Sequence, residues 1–324
     1  MERAKKVLEQ ISFQGKTQYE ITFSPCSNQS VKAFTEEQCA FYQENGFIVI
    51  KNVLSAEEVD AFVIHFQKIC SGEILPLAGT TIMRDITVNE KNERNVNKIQ
   101  DWHDDEVLFN YCKHPTIVNY VSDIIGENIR SIHTMFIQKP GVVQSETTRH
   151  PLHQDLLYFP FRPADKIVCS WTCLEESINR ENGGLVVLPG SHKEGKMYPH
   201  DYPSWDKVNK LYYGIQMDEK FNKYYDENKV YLDMKKGDTV FFHPLLIHGS
   251  GANKAGKSRK AMSCHYASTD CSAIFDLDGS IQADIANEVV ELAKKLVPNI
   301  EFSFTELWLL KSRHVAGKNP GNFF

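Results

Sequence analysis

The sequence predicts a mainly β fold whose core is covered by α-helices. From residue 129 onward, short apolar or alternating segments follow one another between Gly and Pro turns, a spacing that is typical of β-sandwiches, jelly rolls and barrels. Helical patterns precede this region and return over residues 281–297, where apolar side chains recur on one helix face. No shift in composition marks a domain boundary, so we expect one domain with helices outside and a β core inside.

The amino-terminal third supplies helices and one buried strand. Thr35 is a fitting N-cap with Gln38 as its capping-box partner, and Gly46 is placed to end that helix. Residues 47–54 are apolar and β-branched, as in a buried strand. A serine and acidic residues then begin a second amphipathic helix over residues 55–70.

Two later segments interrupt the regular pattern. Residues 107–126 predict a pair of helices broken at Pro115, because proline cannot continue a helix through its interior. Residues 193–229 are rich in Lys, Tyr, Asp and Asn and have few apolar repeats. A long irregular insertion of this kind is usually a lid or a binding loop, and we expect this one to cover a substrate.

Composition excludes several classes of protein. The net charge of −6 gives no overall basic footprint for nucleic acid. No apolar run approaches the roughly 20 residues that a membrane-spanning helix needs, and the amino terminus has no signal-peptide core. The eight cysteines contain no CxxC pair, so we expect reduced thiols in place of a disulfide framework or a zinc site.

Two histidines and an aspartate stand close together in RHPLHQDLLYFP, residues 149–160. Residues two apart share one face of a strand, so His153 and Asp155 are expected to point the same way. His150 would face away if the strand extended to it, but Pro151 is expected to prevent that, so both residues are expected to shape the entry to the strand. A His-x-Asp pair suits an iron site of two histidines and one carboxylate, which leaves three positions open. Alone, the pattern is more typical of a solvated strand.

A second pair of histidines ends a late apolar strand. His243 and His248 are five residues apart and therefore on opposite faces, so strand parity leaves open which of them is a further ligand. Arg259 begins the next alternating strand beside small residues, where its guanidinium would suit a buried carboxylate. Trp171, in a strand between two cysteines, is equally well explained as part of the core.

Eight phrases of the sequence occur in the same order as in one enzyme family. They are FYQENGFIVIKN, MRDIT, HTMFIQKP, RHPLHQDLLYFPFRPADKIVCSWTCLE, NGGLVVLPGSHK, PHDYPSW, KGDTVFFHPLLIHGSG and RKAMSCHYAS. Through them the chain resembles the phytanoyl-CoA dioxygenase family over roughly residues 39–272, with fainter similarity to about residue 316. This ordered set is far more specific than an isolated His-x-Asp pattern.

The resemblance implies a double-stranded β-helix core, of the jelly-roll or cupin-like kind, that binds Fe(II) and 2-oxoglutarate. Ascorbate is a candidate further cofactor. The family's metal ligands correspond by position to His153, Asp155 and His248, and no catalytic residue is implied beyond this metal centre. Asn253 matches an asparagine near the family's site. The residues implied to contact 2-oxoglutarate are Lys98, Met135, Gln154, Trp171 and Arg259.

The resemblance also divides the chain. Residues 1–33 match poorly and are expected to form an amino-terminal extension. Residues 34–316 are expected to form a single Fe(II)/2-oxoglutarate dioxygenase domain, and residues 317–324 a carboxyl-terminal tail. No protein partner is implied.

The implied reaction is the hydroxylation, with O2, of carbon 2 of a branched, phytanoyl-type fatty acyl-CoA in fatty acid α-oxidation. The same chemistry on a small molecule without CoA stays open, and so does a cupin-like protein that binds a metal or ligand without turnover. The CoA phosphates are expected near the cations Arg162, Lys166, Lys193 and Lys196. The resemblance implies a peroxisomal protein, although the ending GNFF is not an SKL-type signal; otherwise the cytoplasm is expected.

Overall fold

Two large antiparallel sheets, three two-stranded sheets and a layer of helices make up the part of the chain that the structure describes. This computed structural model describes residues 33–84, 93–141, 149–202, 212–296 and 301–319. The helices of this part are α1 (Glu36–Asn45), α2 (Ala56–Ser71), α3 (Glu106–Cys112), α4 (Pro115–Ile125), α5 (Glu219–Asn228), α6 (Ala283–Leu296) and α7 (Phe304–Lys311). The strands are β1 (Phe47–Ile50), β2 (Thr81–Arg84), β3 (Val96–Gln100), β4 (Ile129–Lys139), β5 (His150–His153), β6 (Phe161–Arg162), β7 (Ile167–Cys173), β8 (Ser177–Ile178), β9 (Leu185–Val187), β10 (His200–Asp201), β11 (Gly214–Ile215), β12 (Val230–Tyr231), β13 (Met234–Lys235), β14 (Thr239–Phe242), β15 (His248–Ser250), β16 (Arg259–Ser268), β17 (Ser272–Ala273) and β18 (Arg313–Ala316).

The larger sheet has eight strands in the order β1-β14-β7-β16-β4-β3-β2, with β18 paired to β4. The smaller sheet has the order β12-β9-β15-β5. The longest ladder joins β16 to β4, from Arg259 opposite Lys139 to Ser268 opposite Ile129. The expected β core with helices outside is confirmed.

The helical layer packs against the outer face of the larger sheet. Phe66 of α2 stacks on Phe136 of β4, with ring centroids 4.0 Å apart and planes 5° apart. Tyr111 of α3 reaches the same face and shares its hydroxyl with Ser170 and Thr172 of β7, at 3.1 and 2.8 Å. This close packing fixes the sheet whose opposite face carries the polar side chains described below.

The predicted helix boundaries are confirmed where a capping signal stood in the sequence. Thr35 and Gln38 form the capping box of α1, and Gly46 ends the helix in the left-handed conformation, with φ of 77°. A Cβ at Gly46 would also lie 2.4 Å from Nδ1 of His192, so the turn requires glycine. Pro115 is the first residue of α4, where its missing N–H costs nothing.

The expectation of an irregular insertion over residues 193–229 is wrong for its described part. That part contains β10, β11 and the ten-residue helix α5. Helix α5 reads EKFNKYYDEN and buries only Phe221, so it lacks the apolar repeat from which a helix is recognised. Its signal is the cap, because Asp218 accepts a hydrogen bond from the Phe221 N–H at 2.7 Å.

The cysteine prediction is wrong for one residue. Cys39 is disulfide-bonded, and a single bridge of this kind leaves no motif in the sequence. The free thiols among the described residues are those of Cys70, Cys112, Cys169, Cys173, Cys264 and Cys271.

The described helices include none that combines the length and the apolar character required to cross a bilayer. Residues 1–32 and 320–324 lie outside the described residues. The division of the chain into an extension, one domain and a tail therefore stays a prediction.

Candidate metal centre and cosubstrate pocket

His153, Asp155 and His248 come together at one end of the smaller sheet. Strand β5 ends at His153, a 3-10 turn starts at Asp155, and His248 begins β15 directly opposite His153. Asp155 Oδ1 lies 3.2 Å from Nε2 of His153 and 3.7 Å from Nε2 of His248. One ligand atom from each of the three buried side chains lies within 4.8 Å of the others. Two imidazoles and a carboxylate placed in this way can hold a metal ion on one face.

Backbone hydrogen bonds orient both imidazoles toward this centre. Nδ1 of His153 lies 2.9 Å from the Pro151 carbonyl oxygen, and Nδ1 of His248 lies 2.9 Å from that of Leu246. A proton on Nδ1 satisfies each carbonyl and leaves the Nε2 lone pair directed at the metal position. The strand geometry therefore sets the tautomer that ligation requires.

Asp155 is held through its second oxygen by a histidine that the sequence analysis did not select. Oδ2 of Asp155 lies 2.8 Å from Nε2 of His265 on the larger sheet. His265 shares one face of β16 with Arg259 and Ser263, and this alternation was the available signal. A hydrogen bond of this kind leaves Oδ1 as the oxygen turned toward the two imidazoles.

The charge state of these groups suits a divalent cation. Burial raises the pKa of Asp155, but the adjacent His248 and His265 outweigh it and hold that pKa well below its usual range. Burial lowers the pKa of His248 to about 4. At neutral pH the Asp155 carboxylate is therefore ionised and the His248 imidazole is neutral. These are the forms of the two side chains that bind metals.

A cavity of about 60 Å³, here called the inner cavity, adjoins the triad between the two sheets. The predicted cosubstrate residues Lys98, Met135, Trp171 and Arg259 line it. Arg259 is 1% exposed and donates from Nη2 to the Gly183 carbonyl oxygen. Its Nε and Nη1 are buried with no hydrogen-bond partner among the described residues. Because unpaired buried donors are costly, this guanidinium fits an anionic ligand in the cavity.

A second buried cation stands beside Arg259. Lys139 faces Arg259 directly in the β4–β16 ladder and also lines the inner cavity. Its Nζ donates to Ser250 Oγ at 2.7 Å and to the Gly251 carbonyl oxygen at 2.5 Å. Burial, together with the charge of Arg259, lowers the pKa of Lys139 well below its ordinary value. Like charges opposite each other destabilise a sheet, so this pair also fits an anionic ligand.

Lys139 and Ser250 were missed in the sequence. Lys139 follows Met135 and Ile137 at intervals of two along β4, and this alternation was the signal that could have revealed its direction. Ser250 follows His248 at the same interval on β15. Both lie on strands that the sequence analysis had already connected with the site.

The expectation that Pro151 keeps the strand from reaching His150 is wrong, because β5 begins at His150, and His150 does not face away from the triad. Its ring stacks on the ring of His153, with centroids 3.9 Å apart and planes 16° apart. The pairing moves from His153 opposite His248 to His150 opposite Ser250, so β5 has one more residue than β15 over this interval. A bulge of this kind breaks the alternation of strand faces. Nε2 of His150 is buried without a partner among the described residues.

Gln154 lies apart from the inner cavity. Its side-chain amide donates to the carbonyl oxygens of Lys196 and Leu245, at 2.8 and 3.0 Å, and accepts from the Tyr198 N–H at 2.8 Å. These bonds occupy the amide with backbone groups, and Gln154 is not among the residues that line the cavity. The structure therefore gives its side chain a bracing position outside the lining of the inner cavity.

The geometry also decides between the two late histidines. His243 accepts a hydrogen bond from the Leu245 N–H at 3.1 Å and packs beside His192, with ring centroids 5.3 Å apart. Only His248 belongs to the described group that could hold a metal with His153 and Asp155. Asn253 does not line the inner cavity; its amide donates to the Lys139 carbonyl oxygen at 2.9 Å and supports the end of β4.

Comparison with known proteins agrees with this geometry. The family model described as Phytanoyl-CoA dioxygenase (PhyH) matches residues 42–261. The chain belongs to the phytanoyl-CoA dioxygenase family. The relative named "Phytanoyl-CoA dioxygenase, peroxisomal" from Mus musculus is 51% identical over 292 residues, covering 88% of this chain and 83% of that protein. The "Probable phytanoyl-CoA dioxygenase" of Caenorhabditis elegans is 44% identical over 299 residues, covering 87% of this chain and 93% of its own length. The expected enzyme family is confirmed.

Solved structures confirm the fold of this family member. The apo crystal structure of EctD from S. alaskensis matches with a TM-score of 0.66 at 15% identity, covering 82% of this chain and 88% of EctD. The SnoN epimerase from nogalamycin biosynthesis matches with a TM-score of 0.55 at 19% identity, covering 74% of this chain and 85% of SnoN. At these identities the likeness concerns the fold, which is the expected jelly-roll core with flanking helices.

Proposed function

We propose that this chain is an Fe(II)- and 2-oxoglutarate-dependent dioxygenase that hydroxylates carbon 2 of a branched, phytanoyl-type fatty acyl-CoA. One observation carries the cofactor proposal: the buried Arg259 and Lys139 face each other in the cavity beside the His153–Asp155–His248 triad. A metal ion fits the triad, and a dicarboxylate fits the two cations. The named relatives support the acyl-CoA substrate.

The triad residues would hold the iron in this proposal. His153 and His248 present Nε2 and Asp155 presents Oδ1, while their other polar atoms are engaged by Pro151, Leu246 and His265. Bound Fe(II) supplies the activation of O2, which converts 2-oxoglutarate into succinate and CO2 and places one oxygen atom on the substrate as a hydroxyl.

Cationic side chains would orient 2-oxoglutarate. Arg259 offers Nε and Nη1 to the distal carboxylate, and the Trp171 ring, whose centroid lies 5.2 Å from the guanidinium carbon, limits its rotation. Lys139 is held beside Arg259 by Ser250. Lys98 adds a third cation, and its Nζ lies 5.2 Å from the Tyr212 ring centroid. Gln154 takes no part, since backbone groups occupy its amide.

The test is a substrate screen of the purified protein with Fe(II), 2-oxoglutarate and ascorbate. It would contain 3-methyl-branched acyl-CoAs, straight-chain acyl-CoAs and the corresponding free acids, with succinate and the hydroxylated product measured by mass spectrometry. We expect O2-dependent succinate that matches a 2-hydroxyacyl-CoA in amount. Asp155→Ala is the control, and loss of one metal ligand should abolish product.

The other outcomes of the screen separate the alternative functions. Turnover of free acids or of other small molecules alone would overturn the CoA requirement and keep the chemistry. Metal binding without O2-dependent succinate, under every substrate tested, would favour a binding protein of cupin type. Full activity in Asp155→Ala would remove the triad assignment.

The same proposal places the protein in the peroxisome, because the mouse and human relatives are named peroxisomal. The amino-terminal RAKKVLEQI only loosely follows a peroxisomal targeting pattern. A fluorescent fusion with and without residues 1–33 tests this point. Peroxisomal fluorescence that is lost on deletion supports the proposal, and cytoplasmic fluorescence of the intact fusion contradicts it.

A further inference from the structure

A second and much larger depression, here called the outer cleft, opens beside the metal centre. Its volume is about 940 Å³, within the range of roughly 300–1,000 Å³ that is usual for ligand pockets. Helix α5, strand β11 and the turn that follows β15 contribute to its walls. The inner cavity, at about 60 Å³, is far too small for a CoA ester, so the bulk of such a substrate must lie elsewhere.

The outer cleft and the inner cavity share two lining residues. His150 and Ser250 line both spaces. The ring of His150 stacks on the metal-ligating His153, and its Nε2 has no partner among the described residues. A ligand in the outer cleft therefore lies next to the reacting centre and meets an uncommitted polar atom on the way in.

The cleft is rich in positive charge. Four cations line it against two carboxylates, Glu181 and Asp226. The cations are Arg149, Arg180, Lys229 and Lys254. Lys254 makes no side-chain hydrogen bond or ion pair within the described residues, whereas Lys229 is paired with Asp226. Exposed cations grouped around one depression attract polyanions such as phosphate esters.

Two tyrosines lie among these cations. The Arg180 guanidinium carbon is 4.8 Å from the ring centroid of Tyr231. Lys229 Nζ is 4.9 Å from the centroid of Tyr225 and 6.0 Å from that of Tyr231. Aromatic faces beside cations are the usual platform for a nucleobase attached to phosphates.

The cations that the sequence suggested for the phosphates lie elsewhere. Arg162 donates to the carbonyl oxygens of Phe159 and Phe161, and Lys193 pairs with Glu44. Neither these two nor Lys166 and Lys196 line the inner cavity or the outer cleft. A CoA site at these four cations would therefore lie outside both spaces.

We propose that the outer cleft binds the adenosine 3′,5′-bisphosphate half of a CoA ester, with Arg180 and Lys254 on its phosphates and Tyr225 or Tyr231 on its adenine. This inference rests on the proposed acyl-CoA substrate. The pantetheine arm then passes His150 and Ser250 and carries the thioester to the metal centre. The cleft thereby selects CoA esters over free acids by recognising the nucleotide, at a distance from the reacting carbon.

The test compares a double charge reversal in the cleft, Arg180→Glu with Lys254→Glu, against a matched reversal outside it, Lys166→Glu with Lys193→Glu. The Kd of adenosine 3′,5′-bisphosphate is measured by calorimetry, and this measurement does not depend on turnover. Because exposed ion pairs contribute little individually, we expect the cleft variant to bind about tenfold more weakly or worse, and the control to bind as the parent does. Arg180 and Lys254 are exposed, so the variant should fold, and circular dichroism verifies this.

Turnover adds a second measurement. In the cleft variant, KM for the CoA ester should rise by about the same factor. KM for the corresponding pantetheine thioester and KM for 2-oxoglutarate should stay unchanged. Equal nucleotide binding by parent and cleft variant, or a loss in the control variant, would overturn the inference. A third outcome is that the cleft variant loses nucleotide binding but the parent turns over no acyl-CoA. That outcome would overturn the proposed function and still support the nucleotide site.

Discussion

Strand β16 has two faces that are equally buried and differ in how their polar groups are satisfied. The outer face carries Met262, Cys264 and Tyr266, and the inner face carries Arg259, Ser263 and His265. On the outer face the Tyr266 hydroxyl donates to a carbonyl oxygen at 3.3 Å. On the inner face Arg259 Nε and Nη1, Ser263 Oγ and His265 Nδ1 have no partner among the described residues.

Burial alone does not distinguish the packed core from the binding site, because both faces are buried. The presence of unpaired polar groups on one face does distinguish them. A buried polar group without a hydrogen-bond partner lowers the stability of the protein. Several such groups close together are therefore expected where a bound ligand supplies the missing partners. The outer face stabilises the sheet, and the inner face is arranged for an anion and a metal ion. Variants on opposite faces of the same ladder should therefore fail in opposite ways.

Truncation of the outer face should have the largest effect, and it should concern stability. Phe136→Ala removes a buried ring from β4 that stacks on Phe66, and Phe-to-Ala changes in a core cost about 3–5 kcal/mol of unfolding free energy. Urea unfolding measures this loss, with KM for 2-oxoglutarate unchanged in the folded fraction. A loss below about 1 kcal/mol would remove the core role of this face.

Removal of the inner-face guanidinium should act on binding. Arg259→Met keeps most of the side-chain volume and removes two charge-assisted hydrogen bonds, so the Kd of 2-oxoglutarate should rise by about 100-fold. The unfolding free energy should stay equal or increase, because an uncompensated buried charge beside Lys139 is lost. Calorimetry and urea unfolding test both halves. A large loss of stability with unchanged affinity would contradict the comparison.

Most of this difference between the two faces of β16 could be predicted from the sequence, because residues two apart in a strand lie on the same face. Arg259 was selected from its position at the start of an alternating strand, and Trp171 and Met135 from the family resemblance. His265 and Lys139 follow from the same period, but a buried histidine or lysine has no local motif that separates it from the core. Their roles depend on Asp155 and Arg259, which are distant in sequence and adjacent only in the folded sheets.

The bulge in β5 could not be predicted. Strand parity assigned His150 to the wrong face, because one extra residue opposite β15 changes the face of every residue beyond it. Helix α5 was missed for a different reason: only one of its residues, Phe221, is buried, so apolar periodicity carried little signal. Both features lie in the walls of the outer cleft.

His265 provides a smaller test of the inner face. His265→Phe keeps a ring of similar size and removes the hydrogen bond to Asp155 Oδ2, and loss of such a supporting partner weakens metal affinity by about 10–100-fold. Anaerobic Fe(II) titration measures this change. His243→Phe is the control, because His243 is equally buried and the hydrogen bond and ring contact of its side chain among the described residues involve Leu245 and His192. Equal metal affinity in both variants would make His265 a packing residue only.

The smallest expected effect is a pH dependence of cosubstrate binding at Lys98. Burial lowers the pKa of Lys98 from its ordinary value of 10.5 to about 8, so its charge is present below pH 8 and is lost as the pH rises through 8. Loss of one charged donor should raise the Kd of 2-oxoglutarate by about three- to tenfold between pH 7 and 9. Arg259 stays charged over this range, because burial lowers its pKa only to about 10.

Two variants of Lys98 separate this titration from other effects of pH. Lys98→Arg keeps a positive charge at every pH, so the rise in Kd should disappear. Lys98→Met removes the charge throughout, so Kd should already be high at pH 7 and change little by pH 9. If the rise persists unchanged in Lys98→Arg, another group is responsible. In that case Lys139, whose pKa burial also lowers, is the next residue to substitute, and the positive pocket would depend on the β4–β16 pair more than on β3.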